Sequence, residues 1–354
     1  MQSLFCAAPA ILKPSGDGKE MSEKMKKCSI TLFFAAALMC VPGLSGSAWA
    51  QELVPGGMTV GLELSAGGVV VSRLTEVDTA DGKVSPAEVA GLRAGDCIVA
   101  VDGREVSCGE DFSKAMAALD GGAVELEVLR AEQSMTLEIE PAKSKDGSWQ
   151  LGLWLRDGAS GIGTVTYYDP VSGEYGALGH GVNDADSGAL LPSESGSVSP
   201  SVIVDIVPGR AGAPGELQGM SSSEDSVGRI DANTPFGIFG VMSSFPGGEP
   251  LETASDAEIK PGKATIYSNI SGSDVEEFEI EIERVVKNAP DGKSMQIRVT
   301  DERLLKETGG IVQGMSGSPI IQDGKLVGAV THVLVSDPTR GYGISIDTML
   351  KAAA

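Results

Sequence analysis

Residues 309–321 read GGIVQGMSGSPII. Within them Gly314-Met315-Ser316-Gly317-Ser318-Pro319 has the form G-x-S-G-x-P. Glycines on both sides of a serine permit a tight turn and close backbone approaches that a Cβ would obstruct. Such a turn holds one hydroxyl outside regular structure. It also lets the amides of Gly314 and Ser316 point at one spot beside that hydroxyl. This is the arrangement of a nucleophile next to an oxyanion hole, which a poorly nucleophilic hydroxyl needs in order to react. The motif alone also arises in ordinary Gly-Ser turns.

The residues C-terminal to the motif add weight. Ser318–Val335 reads as strand, turn at Asp323-Gly324, strand, since a D-G pair between apolar runs signals a hairpin. A serine turn feeding a hairpin, with Gly341-Tyr342-Gly343 beyond it, resembles the C-terminal barrel of chymotrypsin-like proteases. Upstream, short apolar alternations broken by Gly, Pro and Asp recur from Leu151 to Val299. They predict an all-β barrel domain over residues 147–354.

Two histidines occur in the whole chain. His180 lies between Gly179 and Gly181, in a loop or at a strand end, and suits an exposed imidazole acting as general base. His332 lies in the apolar stretch Ala329–Val335 and suits a side chain packed on a sheet face. Asp184 and Asp186 are close enough in sequence to His180 to orient it.

The N-terminal part has a different character. Ser85-Pro86-Ala87-Glu88-Val89-Ala90-Gly91-Leu92 runs into Gly95-Asp96-Cys97-Ile98 and then Val101-Asp102-Gly103. Ser85 is a helix N-cap with proline at the first helical position, and Gly91 is a helix stop. The stretch resembles bacterial PDZ domains and places such a module at residues 51–142, with Ala142–Asp146 as a polar linker. By that resemblance Thr59-Val60-Gly61-Leu62 is the carboxylate-binding loop. The amides of Val60, Gly61 and Leu62 would hold a peptide, the substrate's or the chain's own N-terminal region, added as an extra strand. Otherwise Gly61 simply serves a turn.

Residues 1–50 read as an N-terminal extension and export signal. Lys26-Lys27 precede the apolar run Ile30–Leu44, and Ala48-Trp49-Ala50 forms an A-x-A cleavage site. The apolar run is short for a membrane span, which needs about 20 residues, although an uncleaved anchor would read similarly. Translation starting at Met21 or Met25 would fit the signal better. Cleavage after Ala50 would leave two cysteines, Cys97 and Cys108, either paired or free and buried. Net charge is −22 over 354 residues, which argues against nucleic acid as a partner. Without a C-x-x-C or His-rich cluster, no metal site or cofactor is expected.

The order PDZ, A-L-G-H-G (Ala177–Gly181), V-T-D-E-R-L-L (Val299–Leu305) and G-G-I-V-Q-G-M-S-G-S-P-I (Gly309–Ile320) resembles the SpoIVB peptidase family of endospore formers. The resemblance implies a PDZ module followed by a chymotrypsin-like serine endopeptidase. It implies export into the space between the forespore membranes, cleavage of a membrane-associated sporulation regulator, self-processing, and activation of the late mother-cell sigma factor. It maps Ser316 as nucleophile, His180 as base and Asp301 as the acid that orients it. Asp301 stands only 15 residues before Ser316, whereas chymotrypsin-like enzymes commonly place that acid between the barrels. The contrasting expectation is a non-catalytic PDZ scaffold on a degenerate protease barrel.

Overall fold

The computed structural model describes residues 51–354, apart from Glu132 and Pro246. The export signal expected in residues 1–50 therefore lies outside the described residues. The C-terminal half is a closed six-stranded barrel. Around it run Gly262–Ser268, Glu276–Val285, Met295–Val299, Arg340–Ser345, Lys325–Val333 and Pro319–Gln322, which pairs back onto the first strand. Period-two alternation builds it. Phe278, Ile280 and Ile282 point inward with Ile266, Met295, Ile297 and Ile320, while Glu277 and Glu279 face out. Each large side chain buried this way stabilises the barrel by roughly 1.5–3 kcal/mol. The expected hairpin is present: Asp323 (φ 52°) and Gly324 (φ 78°) both take the left-handed conformation that a two-residue turn requires.

A second ring of six strands lies beside the first. Thr59–Leu74 pairs with Leu153–Tyr168, then follow Glu174–Ala177, Gly237–Met242, Gly228–Thr234 and Ser195–Val207, which returns to Thr59–Leu74. Val60, Leu62, Leu64, Val165, Tyr175, Val198, Ile230 and Ile238 fill it. The chain is thus a mainly β, chymotrypsin-like double barrel carrying a PDZ module.

The PDZ module begins later than the sequence suggests. Residues 59–65 are not part of it. They form the first strand of the first barrel, in register with Gly158–Thr164 on one side and Ser195–Pro200 on the other. The 16-residue strands Thr59–Leu74 and Leu153–Tyr168 continue as one ribbon out of the barrel. Beyond it, Val69 and Val70 pair with Ile98 and Cys97, and the helices Pro86–Val89 and Gly109–Ala117 cover the sheet. Val69, Val71, Leu92, Ile98, Phe112, Leu126 and Ile139 form this module's own core. The PDZ module is therefore inserted between two neighbouring barrel strands. Closing the barrel requires residues 59–65, because a five-stranded ring would leave unpaired edges. Among the described residues, the cysteines Cys97 and Cys108 are both free. Cys97 is buried, which pushes its thiol up to about 11, and Cys108 is half-buried and donates to Asp111.

Candidate active site

The helix Glu302–Thr308 leads into the serine turn. It ends at Gly309 in the left-handed conformation (φ 74°), and Gly314 (φ 96°) and Gly317 (φ 99°) make the turn itself. The first barrel grips this turn from behind. Thr164 Oγ1 donates to the Gly314 carbonyl at 2.6 Å, the Thr164 amide to the Ser316 carbonyl at 3.0 Å, and Thr166 Oγ1 to the Gly317 carbonyl at 2.8 Å. The approach is so close that a Cβ on Gly317 would stand 1.9 Å from the Thr164 carbonyl oxygen. No larger residue fits there.

The amides of the turn divide into two sets. Those of Met315, Gly317 and Ser318 donate to the carbonyls of Val312, Val330 and Met315. Those of Gly314 and Ser316 donate to no acceptor among the described residues. The Leu217 amide holds the Gln313 carbonyl at 2.9 Å. In a trans peptide the N–H points opposite to the carbonyl, so this bond turns the Gly314 amide away from Leu217. Buried backbone donors are normally paired. Gly314 and Ser316 are both half-buried, and these two unpaired amides lie side by side at the serine hydroxyl.

Ser316 and His180 line the same cleft of about 310 Å³, together with Leu62, Leu178, Gln313 and Gly314. Ser316 Oγ donates to the Thr331 carbonyl at 2.7 Å. The His180 Nδ1 lies 2.8 Å from the Gly181 carbonyl. A carbonyl can only accept, so Nδ1 carries the proton and Nε2 is left with its lone pair. His332 packs beside His180, with ring centroids 4.9 Å apart and planes tilted by 43°. Burial lowers the His180 pKa against the opposing pull of the Gly181 carbonyl. Desolvation first, then the neighbouring His180 and Lys293, lower His332 to about 4, with Asp291 opposing them. Both rings are neutral at neutral pH.

The loop carrying His180 is tied down at several points. Asn233 accepts from the Val182 amide and donates to the carbonyls of Val182 and Leu191. Asp184 is buried. It accepts from the amide and hydroxyl of Ser187 and from Ser72 Oγ, and pairs with Arg156 at 3.2 Å. Desolvation would raise its carboxyl, but these bonds hold it below the usual range. Asp186 is exposed and pairs with Arg156. Among the described residues, neither aspartate hydrogen-bonds to His180.

Asp301 does not hydrogen-bond to His180 either. It is the N-cap of Glu302–Thr308, with Oδ1 accepting from the Leu304 amide at 2.9 Å and Oδ2 from the Glu279 amide at 3.3 Å. The group that accepts the His180 Nδ1 proton is instead the Gly181 backbone carbonyl. Every residue has such a carbonyl, so no side-chain motif could have revealed it. Val60, Gly61 and Leu62 do not form a peptide-binding loop. They sit within the barrel ladder, paired with Gly163, Ile162, Gly161 and Pro200, Ser199, Val198. A Cβ on Gly61 would meet the Ser221 side chain, with Oγ at 2.1 Å.

Two closed β-barrels, a glycine-flanked serine and an imidazole sharing one cleft define a serine peptidase of the chymotrypsin-like class. The profile of the SpoIVB peptidase S55 family matches residues 147–350, and the chain belongs to that family. A PDZ domain profile matches residues 79–130. Among curated proteins, one named as a putative zinc metalloprotease in Clostridium perfringens is 32% identical over 69 residues, covering 20% of this chain and 21% of that protein. Another of the same description in Xylella fastidiosa is 34% identical over 80 residues, covering 22% of this chain and 18% of that protein. The chain thus spans about a fifth of the length of these relatives. Among solved structures, the Rv3671c protease of M. tuberculosis in its active form is 14% identical, covers 55% of this chain and 73% of its own, and gives a TM-score of 0.34. The inactive form of that protease gives 0.33 at the same identity, covering 55% and 84%.

Proposed function

We propose that the chain is a serine endopeptidase in which Ser316 is the nucleophile, His180 the base and the Gly314 and Ser316 amides the oxyanion hole. The observation that carries this reading is the pair of unpartnered amides beside Ser316 in the cleft that His180 also lines. Rotation about the Ser316 Cα–Cβ bond turns Oγ from the Thr331 carbonyl toward the cleft. Oγ then attacks the substrate carbonyl carbon while His180 Nε2 takes its proton, and the carbonyl oxygen receives the negative charge between the two amides. The same proton passes to the leaving amine as the C–N bond breaks. Water, deprotonated by Nε2, then hydrolyses the acyl-enzyme. The Gly181 carbonyl holds the ring in the required tautomer throughout.

By family membership, the substrate is a membrane-associated sporulation regulator and also the chain itself. The place of action is the space between the forespore membranes. Lys26-Lys27, the apolar run Ile30–Leu44 and the A-x-A site support export. A serine-reactive fluorophosphonate should label the purified chain and fail to label Ser316→Ala. Expressed in an endospore former lacking its own copy, the wild type should restore late sigma-factor activation and Ser316→Ala should not. Absence of labelling in a folded wild-type chain would leave the non-catalytic scaffold instead.

A further inference from the structure

The two histidines of the chain stand far apart in sequence, yet the fold brings their rings together. His180 comes from the loop after the strand Glu174–Ala177, and His332 from the barrel strand Lys325–Val333. The ring centroids are 4.9 Å apart, with the planes tilted by 43°. Each ring is held by its Nδ1. For His180 the holder is the Gly181 carbonyl, at 2.8 Å. For His332 it is Thr331 Oγ1, at 3.0 Å. That hydroxyl donates its single proton to the Tyr342 carbonyl at 3.3 Å, so toward His332 it can only accept. Both Nδ1 atoms therefore carry protons, and both Nε2 atoms keep lone pairs. Neither Nε2 has a hydrogen-bond partner among the described residues.

Two adjacent imidazoles in this state suit a metal ion. Zinc binds imidazole nitrogen at about 2.0–2.1 Å with tetrahedral angles, which sets the centroids of two ligating rings about 5 Å apart. The observed separation has that size. A ligating histidine also donates its other ring N–H to an oxygen, which fixes its tautomer. Gly181 and Thr331 already supply those oxygens. No third His, Cys, Asp or Glu completes a ligand set among the described residues. A bound ion would keep positions open to water, as in an exchangeable site rather than a structural one. His332 is exposed, so the ion can arrive from solvent.

We infer that His180 and His332 together bind a zinc ion through their two Nε2 atoms and that this ion switches the peptidase off. The metal occupies the lone pair that otherwise takes the Ser316 proton, so the loaded site has no base. Calcium and magnesium favour oxygen ligands and should not replace zinc. Binding depends on the two rings alone. Inhibition rests on the reading of His180 as the base, and the test separates the two.

The untagged full chain bearing Ser316→Ala is titrated with zinc sulfate in competition with a chromogenic zinc indicator. It should bind zinc at micromolar concentration. Losing even an outer hydrogen-bond partner of a ligand costs about tenfold to a hundredfold in metal affinity, so His332→Ala and His180→Ala should each weaken binding about a hundredfold or more. His332→Cys offers a thiolate in place of the imidazole and should restore binding. Thermal melts establish that each variant is folded. In the chain with Ser316 intact, the same zinc concentrations should suppress peptide turnover and fluorophosphonate labelling. A chelator should restore both, and millimolar calcium or magnesium should affect neither. Equal zinc affinity with and without the His332 imidazole would overturn the site. So would absence of binding by a folded, fluorophosphonate-reactive chain, which would leave the catalytic reading intact. Zinc binding that needs both histidines yet leaves turnover untouched would uphold the site but overturn the inhibition, and with it His180 as the base.

Discussion

Replacing Thr164 with valine tests whether the first barrel aims the oxyanion hole. Thr164 is fully buried, and its Oγ1 donates to the Gly314 carbonyl at 2.6 Å. Valine keeps the shape and removes the donor. The Gly314 carbonyl is then left without its partner, at a cost of about 1–3 kcal/mol when water cannot replace it. Part of that cost falls on the whole fold and part on the turn. The part that lets the Gly314–Met315 peptide swing is felt in the transition state, where the amides must face the oxyanion. Loss of a complete oxyanion donor costs about a hundredfold to a thousandfold in kcat. A donor that is loosened but retained should cost about tenfold to a hundredfold, with KM nearly unchanged. Thr166→Val is the matched control. It removes the 2.8 Å bond to the Gly317 carbonyl, on the far side of Ser316 from Gly314, so it should lower the melting temperature comparably with a smaller loss of kcat. Initial rates on a peptide substrate and thermal melts by circular dichroism read both quantities. If Thr164→Val melts early but turns over at the wild-type rate, the first barrel supports the fold without aiming the amides.

Ser316→Ala should abolish turnover. Ser318→Ala should keep it, losing about 1 kcal/mol of stability with the buried 3.2 Å contact to Ser268, and the reverse result would reassign the nucleophile. The acid limb of kcat/KM should lie below pH 6.5, because burial lowers the His180 pKa and the base is competent only when neutral; a limb above pH 6.5 would refute that environment. His332 titrates at about 4 in the fold and near 6.5 when unfolded. The unfolded chain therefore binds more protons between those values, stability rises with pH through that window, and His332→Gln should flatten the rise in melting temperature. Asp301→Ala should cost about 0.5–2 kcal/mol as a lost N-cap, whereas Asp301→Asn keeps the oxygen that caps the Leu304 amide, gives up only the longer bond from the Glu279 amide, and should recover turnover and most of the stability. A folded Asp301→Asn protein without activity would show that the carboxylate charge itself is used.

Local chemistry was legible in the sequence, and pairing over long distances was not. The serine turn, the Asp323-Gly324 hairpin and the alternation of Phe278, Ile280 and Ile282 each rest on residues within a few positions of one another. Their backbone demands can be read from glycine placement and side-chain period. The strand Thr59–Leu74 is different. Its partner starts about 80 residues later, beyond an entire inserted module, and nothing within Thr59-Val60-Gly61-Leu62 separates a barrel strand from a peptide-binding loop. Both accommodate a glycine where a neighbour comes close, here the Ser221 side chain. Asp301 shows the converse limit. An aspartate followed three residues later by an amide it can cap serves a helix N-terminus as well as it would serve an imidazole, and only the fold decides between them. The Gly181 carbonyl was invisible because backbone groups carry no sequence signal.

The inserted position of the PDZ module has a direct experimental consequence. Ser65 and Gly158 stand opposite each other in the ladder at the point where the ribbon leaves the barrel. Directly opposed residues of an antiparallel pair can be joined by a two-residue turn such as Asn-Gly. Deleting residues 66–157 and joining Ser65 to Gly158 in this way should therefore leave both barrels closed. The grip of Thr164 and Thr166 on the serine turn lies wholly within the retained residues, so Ser316 should still react with a fluorophosphonate. Two ties to the His180 loop would be lost, however, because Ser72 and Arg156 both hold Asp184 and both lie in the deleted ribbon. Peptide turnover should fall while the Asn233 bonds keep the loop in place. Deleting residues 51–142 instead would remove the strand Thr59–Ser65 and expose the edges of Gly158–Thr164 and Ser195–Pro200. That chain should aggregate. A soluble, fluorophosphonate-reactive protein from the second deletion and an unfolded one from the first would show that the first barrel does not depend on residues 59–65.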